Sequence, residues 1–182
     1  MMISNERLHK AMRERRAIKH FEASFEVPAS DRDYILHFAQ DLDLGLATLP
    51  LRICRVTDKA LREQIREVGY NQPQHTGASE LWVVCIDTDV LAQDNNTHLR
   101  DQAMFYGAAY SQALMVAAAS LGYDSCPMIG FKFAAVSELI SLPDNYVLCN
   151  FVVFGKRNKA PLPRGSKLSL NDILFTNELA QR

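Results

Sequence analysis

The 182-residue sequence lacks most of the short motifs that mark well-known chemistries. It has no GxGxxG or Walker A loop and no GxSxG serine, so those nucleotide-binding and hydrolase patterns are absent. Its four cysteines form no CxxC pair, its five histidines show no i,i+4 spacing, and no zinc pattern fits. We therefore expect no metal site, and we expect the cysteines to be reduced thiols.

The sequence also lacks a charge imbalance and a long apolar run. Its 20 Lys and Arg residues balance 21 Asp and Glu residues, which argues against a general nucleic-acid binder. The longest apolar run, ALMVAAA at 113–119, is too short to span a bilayer, and the polar start MMISNERLHK predicts no signal peptide. With 48% hydrophobic residues, the chain is expected to fold as one cytoplasmic globular domain.

Helical and strand patterns alternate along the chain. Predicted helices cover 4–16 (capped by Ser4), the segment from a Ser30 cap to Gly45, 58–69, 97–121 and 133–142, and predicted strands cover 50–56, 80–88 and 146–155. The helix at 97–121 is apolar all round from Ala113 onward, which is typical of a buried central helix. Residues 71–79 and 121–131 are predicted to be turns. The class is α+β or α/β, with the long helix against the sheet.

Three cations occupy five positions in RRAIK, from Arg15 to Lys19. Because the chain as a whole is nearly neutral, this cluster needs a local explanation. One explanation is favourable placement of cations near the C-terminus of the first predicted helix. Local sequence alone leaves room for a second role.

The segment LGYDSCPMIGF, from Leu121 to Phe131, is a second unusual stretch. A buried helix stops at Gly122, and a turn with Pro127 and Gly130 follows. Such a loop presents backbone N–H groups that a flat polar ligand edge could accept, but a plain connector between helices fits equally well. Cys126 is the best candidate thiol, although no histidine lies near it in the sequence.

Together, these stretches resemble a known family. RRAIKHF (15–21) and ASLGYDSCPMIGF (119–131) resemble the signature segments of the FMN-dependent nitroreductase family, and LPDNYVLCNFVVFGK (142–156) resembles the strand that follows. The resemblance implies an α+β, nitroreductase-like fold: a central, mostly antiparallel sheet, flanking helices and a long buried helix. It also implies a homodimer with two flavin sites at its interface, a single domain over 1–182, and a tail from about 157–182 that wraps the partner subunit.

The activity that the resemblance implies is FMN-dependent NAD(P)H oxidation. NADH or NADPH would pass a hydride to the flavin, and the flavin would pass it to a quinone or nitroaromatic in a ping-pong reaction. No catalytic side chain is expected, because solvent can deliver protons to an open pocket. The alternatives are a non-catalytic flavin-binding or dimeric interaction paralogue, and a flavin enzyme of different chemistry, such as a dehalogenase or azoline oxidase.

The resemblance also assigns the cation cluster. Arg15 would bind the FMN phosphate, and Arg16 would lie on the ribityl-phosphate side. Lys19 would approach the flavin ring near N1 and O2, where an ammonium stabilises negative charge. Ala17 belongs to the same segment, but the family usually has a serine at its position.

Further FMN-binding residues are implied elsewhere in the chain. Asn71 matches an asparagine that hydrogen-bonds the ring, and it could equally be a turn residue. Pro127, Met128, Ile129 and Gly130 match the loop that lies against the ring, with a backbone N–H of Ile129 or Gly130 reaching N5. Arg164 and Lys167, in PLPRGSK, match a basic segment that returns to the phosphate, and both could equally be solvated surface charges.

The sequence departs from the family at four places. Besides Ala17, LDLGLATLP (42–50) replaces a loop that usually carries Ser and Asn, Leu51 replaces an aromatic residue, and Gln74 stands where relatives often have lysine. These departures predict weaker FMN binding or an unusual substrate pocket.

Overall fold

The structure, a computed structural model, describes residues 6–92 and 98–177. The predicted cap Ser4 and position 97, the predicted start of the long helix, lie outside these ranges. The helices are α1 (Glu6–Glu14), α2 (Ala29–Gln40), α3 (Lys59–Val68), α4 (Gln74–Gly77), α5 (Thr88–Leu91), α6 (Leu99–Ser120) and α7 (Phe133–Leu139). The strands are β1 (Leu51–Arg55), β2 (Glu80–Asp87), β3 (Asp124–Met128) and β4 (Tyr146–Gly155).

The four strands form one sheet in the order β1-β2-β4-β3, and all neighbouring strands are antiparallel. All eight residues of β2 are buried, as expected of a central strand read from a continuous apolar run. A register shift between β2 and β4 lies where Val84 pairs with Asn150 and Cys85 pairs with Leu148. The predicted central antiparallel sheet is therefore confirmed.

Helices cover both faces of the sheet. The long helix α6 packs on one face together with α2, and Gly107 allows close contact there, since an added Cβ would lie 2.5 Å from Cys149 Sγ. The other face packs against α3 and α7. Within the described ranges, no helix is long and apolar enough to cross a membrane.

Several predicted boundaries are confirmed and others are wrong. Asp58 caps α3 by accepting the Leu61 N–H at 2.7 Å, and Gly69 ends that helix, as predicted. In contrast, α2 begins after Pro28 without a Ser30 side-chain cap, and it ends at Gln40 rather than Gly45. The chain leaves the helix early because leucines of 42–49 pack against the core from an irregular loop.

Two segments predicted as turns contain regular structure. Residues 71–79 include the short helix α4, and 121–131 include the strand β3. Pro127 lies within β3 and lacks an N–H group, which is tolerated because β3 is at the edge of the sheet. Residues 124–131 therefore form an edge strand followed by a turn.

Candidate functional site

The RRAIK segment lies along the edge strand β3. The Ile18 N–H donates to Ser125 O at 3.0 Å, and Ala17 forms a parallel bridge with Ser125. Ile18 is buried in the core, so Ala17 and Lys19 on either side of it are exposed. The two segments that carry the family resemblance, about 100 residues apart in the sequence, thus meet at one edge of the sheet.

Four of the cations at this edge have no acidic partner among the described residues, unlike Arg157, which pairs with Asp124 of β3. The half-buried Arg15 places Nη1 3.8 Å from Met115 Sδ. Burial, followed by the nearby charge of Arg164, lowers the pKa of Arg15 below its ordinary value. In the part of the chain that the structure describes, none of Arg15, Arg16, Lys19 and Arg164 forms an ion pair with a carboxylate. Such a cluster is suited to an anionic ligand.

The C-terminus of α1 is neutralised by a residue from the far end of the chain. Arg164 Nη2 donates to the carbonyl oxygens of Arg13 and Arg15, both at 2.7 Å. Placement of cations near the C-terminus of this helix is one explanation for the cluster from Arg15 to Lys19. In the structure, Arg164 makes this favourable contact with the carbonyl oxygens at the helix end. The guanidinium of Arg16 donates to Leu162 O, so two arginines hold the start of the tail against the N-terminal segment.

The turn that carries Asn71 lies at the other end of the same edge. Tyr70 and Asn71 both have positive φ, 56° and 54°, and the Asn71 N–H donates to Arg66 O at 2.9 Å. Gln72 Nε2 donates to Gly130 O at 2.9 Å, which ties this turn to the segment after β3. Asn71 itself is exposed beside that contact.

Two backbone donors next to this contact are free. Within the described residues, the N–H groups of Ile129 and Gly130 donate to no protein acceptor. Ile129 is 69% exposed, so the described residues leave its side of this turn open. The edge therefore offers cations at one end and unpaired N–H groups at the other.

Cys126 lies between these two ends but is not poised as a nucleophile. The residue is 4% exposed. Burial raises the pKa of its thiol, and the charges of Lys19 and Arg15 only partly oppose that effect. The thiol is therefore protonated at neutral pH.

The structure brings together most of the predicted site residues. Arg15, Arg16, Ala17, Lys19, Asn71, Arg164 and the segment Pro127, Met128, Ile129 and Gly130 share one edge of the sheet. Of these, Met128 is buried, so only its backbone can face a ligand. Lys167 is exposed and forms no hydrogen bond with the cluster in the described ranges. Gln72 and Met115 were not predicted from the sequence.

The predicted residues line an open edge rather than an enclosed cavity. A groove of about 520 Å³ lies elsewhere, beside Arg55 and Glu80. A second groove, of about 390 Å³, includes Arg15 together with Lys10, Ser120 and Arg157. A ligand bound along the β3 edge would therefore stay partly uncovered by this chain alone.

Comparison with known proteins defines the class. The model of the Nitroreductase family matches residues 82–156. Protein DrgA of Synechocystis is 32% identical over 183 residues, and the match covers 86% of this chain and 87% of DrgA. The chain belongs to the nitroreductase family, which confirms the family expected from the sequence.

Solved structures agree with this assignment. Nitroreductase A from Vibrio parahaemolyticus superimposes with a TM-score of 0.86 at 22% identity, over 96% of this chain and 78% of that one. The NADPH:FMN oxidoreductase from Vibrio harveyi, solved with NAD⁺, gives a TM-score of 0.86 at 22% identity, over 96% and 79% of the two chains. The expected nitroreductase-like fold is confirmed.

Proposed function

We propose that this protein is an FMN-dependent NAD(P)H oxidoreductase that reduces quinones or nitroaromatics, and that FMN binds along the β3 edge. One observation carries the proposal: among the described residues, four cations without a carboxylate partner lie on the same edge as two backbone N–H groups without an acceptor. Membership of the nitroreductase family supports it, as does the similarity in fold to a protein described as an NADPH:FMN oxidoreductase.

The donors at this edge fit the chemistry of FMN. A phosphate ester carries up to two negative charges, and a guanidinium fork matches its oxygens. Arg15 is partly shielded from water, so its attraction to a phosphate is screened less than that of a surface arginine. Arg16 and the fixed Arg164 would add positive charge beside it.

The ring of FMN presents polar edges that match the rest of the site. The N–H groups of Ile129 and Gly130 can each donate a hydrogen bond to such an edge, and the Asn71 amide can both donate and accept. Lys19 would hold an ammonium near the ring and favour negative charge on it. Bound FMN would supply two-electron transfer between NAD(P)H and the acceptor. We propose no side chain as a general acid or base.

We propose further that the active form is a homodimer. The 42–50 loop leads into β1, at the opposite edge of the sheet from β3. Two strands lie between these edges, so any contact of this loop with the flavin must come from a second subunit. Large apolar side chains are also exposed, among them Phe105 on α6, 65% exposed, and Leu174 in the tail, 76% exposed.

The tail fits the same proposal. Residues up to Arg164 are held on their own subunit, since Asn158 Nδ2 donates to Phe21 O and Arg164 contacts Arg15 O. Beyond that point, Leu168 and Ile173 are 65% and 61% exposed. We propose one domain over 1–182 whose later tail wraps the partner. Light scattering should then give about twice the 20.5 kDa chain mass.

We place the protein in the cytoplasm. All four of its cysteines, Cys54, Cys85, Cys126 and Cys149, are free thiols, which suits a reducing compartment.

Titration of the apo-protein with FMN, followed by anaerobic NADH or NADPH and then a quinone, tests the proposed activity. We expect binding at roughly micromolar FMN, bleaching of the flavin by the nucleotide, recovery with the quinone, and parallel-line steady-state kinetics. Absence of FMN binding would favour the non-catalytic interaction paralogue. Binding without bleaching would favour a flavin enzyme of different chemistry.

A further inference from the structure

The side chain of Gln72 joins the two ends of the candidate site. Its Nε2 donates to Gly130 O at 2.9 Å, and its Oε1 accepts from Gln74 Nε2 at 3.0 Å. Because a carbonyl oxygen can only accept, Gln72 must present its amide nitrogen to Gly130. Its oxygen then faces Gln74, which must in turn present its own nitrogen. The direction of this hydrogen-bond chain is therefore determined.

Gln74 is a poor choice for stability alone. The residue is 1% exposed, and its Oε1 is buried without a hydrogen-bond partner. A buried carbonyl without a donor costs about 1–3 kcal/mol, whereas an apolar side chain of similar size would carry no such cost. What the amide provides, and an apolar residue could not, is the donor to Gln72.

The backbone of Gln72 is held as well. His75 is fully buried, and its Nδ1 lies 3.0 Å from Gln72 O, so that nitrogen carries the proton. The imidazole ring packs edge-on against Phe151 of β4, with centroids 5.5 Å apart. Both the main chain and the side chain of Gln72 are thus anchored to the core.

Gly130 receives this contact at close range. A Cβ at that position would lie 3.2 Å from Gln72 Nε2, so the glycine lets the amide approach the main chain. Its carbonyl oxygen accepts from Gln72, while its N–H and that of Ile129 have no acceptor among the described residues. Gln72 therefore holds the carbonyl side of this turn, and the two N–H groups remain available to a ligand.

We infer that Gln72, with Gln74 behind it, is a positioning residue. It holds the Gly130–Phe131 peptide group, whose Phe131 N–H donates to Ile129 O at 3.2 Å, and so fixes the turn in which the N–H groups of Ile129 and Gly130 meet the polar edge of a bound flavin. This inference rests on the proposed function. Hydrogen bonds to the ring stabilise its oxidised and reduced forms unequally, so the contact sets the midpoint potential as well as the affinity.

Three neutral variants test the inference. Gln72→Met removes the donor to Gly130, and Gln74→Met removes the donor to Gln72 together with the unpaired oxygen. Gln64→Met, at an exposed position of α3, is the matched control. For each variant we would measure hydrogen exchange over residues 129–132 in the apo-protein, the FMN dissociation constant, the midpoint potential and the melting temperature.

We expect Gln72→Met to speed exchange at 129–132 and to weaken FMN binding, each by about five- to tenfold, and to shift the midpoint potential. Gln74→Met should produce smaller changes of the same kind without lowering the melting temperature. Gln64→Met should change none of these quantities.

Unchanged exchange and affinity in Gln72→Met would overturn the inference. A lower melting temperature with an unchanged potential would also overturn it, because Gln72 would then be a structural residue only. If the wild-type protein binds no FMN, the proposed function fails, while the exchange rates of the apo-protein still decide whether Gln72 holds Gly130.

Discussion

Polar groups in the centre of the sheet meet partners within the chain, whereas several at the β3 edge do not. In the centre, the buried Glu80 carboxylate accepts from Arg55 at 2.6 and 2.8 Å and from Trp82 Nε1 at 2.8 Å. In the described residues, the buried side-chain atoms that lack a partner are Gln74 Oε1, His75 Nε2 and Ser125 Oγ, all in β3 or α4. These unpaired atoms are buried and do not face the ligand themselves, but they lie in the elements next to the proposed FMN site.

Two arginines show the same contrast within one residue type. Arg62 is buried and donates to Val56 O at 2.9 Å, Ala78 O at 2.6 Å and Ser79 O at 3.0 Å. Arg15 has the sulfur of Met115 at 3.8 Å and no carboxylate. Burial lowers the pKa of both arginines, so this shift does not separate the two roles. The partners of the two arginines do separate these roles. Arg62 stabilises the fold, and Arg15 is available to a ligand.

The largest effect is expected from Arg62→Ala. It would leave three carbonyl oxygens, two of them buried, without their charged donor, and we expect a loss of roughly 3 kcal/mol or more in the free energy of unfolding. Urea unfolding followed by circular dichroism would measure it. Arg62→Lys should recover only part of the loss, since one ammonium cannot span three carbonyls. A loss below about 1 kcal/mol would break the contrast between the two arginines.

Arg15→Ala should weaken FMN binding and leave stability unchanged, in contrast to Arg62→Ala. We expect FMN binding to weaken by about 1.5–3 kcal/mol, or more than tenfold, because a hydrogen bond to a charged group is lost. The free energy of unfolding should barely change. Arg13→Ala, which removes the same charge from an exposed position two residues away, is the control for a general electrostatic effect. Equal losses of FMN affinity in the two variants would remove Arg15 from the site.

The contrast also explains what could be predicted from the sequence. The elements β2, β4 and the C-terminal part of α6 contain apolar runs, and the burial of such a run can be predicted from the local sequence. The strand β3 was missed because it is short and contains Pro127, and its strand character comes from pairing with β4. The end of α2 was misplaced because leucines of the 42–49 loop reach the core without helical spacing.

The site divides in the same way. The cluster of Arg15, Arg16 and Lys19 could be predicted because three cations lie within five positions of the sequence, and the family resemblance implies their role. The role of Gln72 could not be predicted, because this residue contacts Gly130, which lies 58 residues away in the sequence. Nothing in the local pattern NQPQ indicates that contact. The two roles of arginine could not be told apart either, since they differ only in three-dimensional partners.

The turn around His75 should make stability depend on pH. Burial is the main cause that lowers the pKa of His75 below 6.5, with the Gln72 carbonyl opposing and Arg66 adding to that effect. The unfolded state therefore binds the proton more tightly than the folded state. Stability should be fully present above pH 6.5 and should fall as the pH drops towards the lowered pKa.

Denaturant midpoints across this pH range would measure the effect. His75→Gln should flatten the decline, whereas His20→Gln, at an exposed position, should leave it unchanged. An equally steep decline in His75→Gln would show that another group causes it.

Ala17→Ser gives the smallest expected effect and tests the β3 edge at one atom. The family usually has a serine here, and in this chain Ala17 is exposed beside Ser125, two residues from Arg15. An added hydroxyl should form one charge-assisted hydrogen bond to the phosphate, worth about 1 kcal/mol after solvent screening. The FMN dissociation constant should then fall roughly fivefold, with no change in the free energy of unfolding. Titration of the apo-protein followed by flavin fluorescence would measure it, with Ala23→Ser, another exposed alanine, as the control. If Ala17→Ser leaves the affinity unchanged while Arg15→Ala lowers it, the phosphate lies near Arg15 but not beside residue 17.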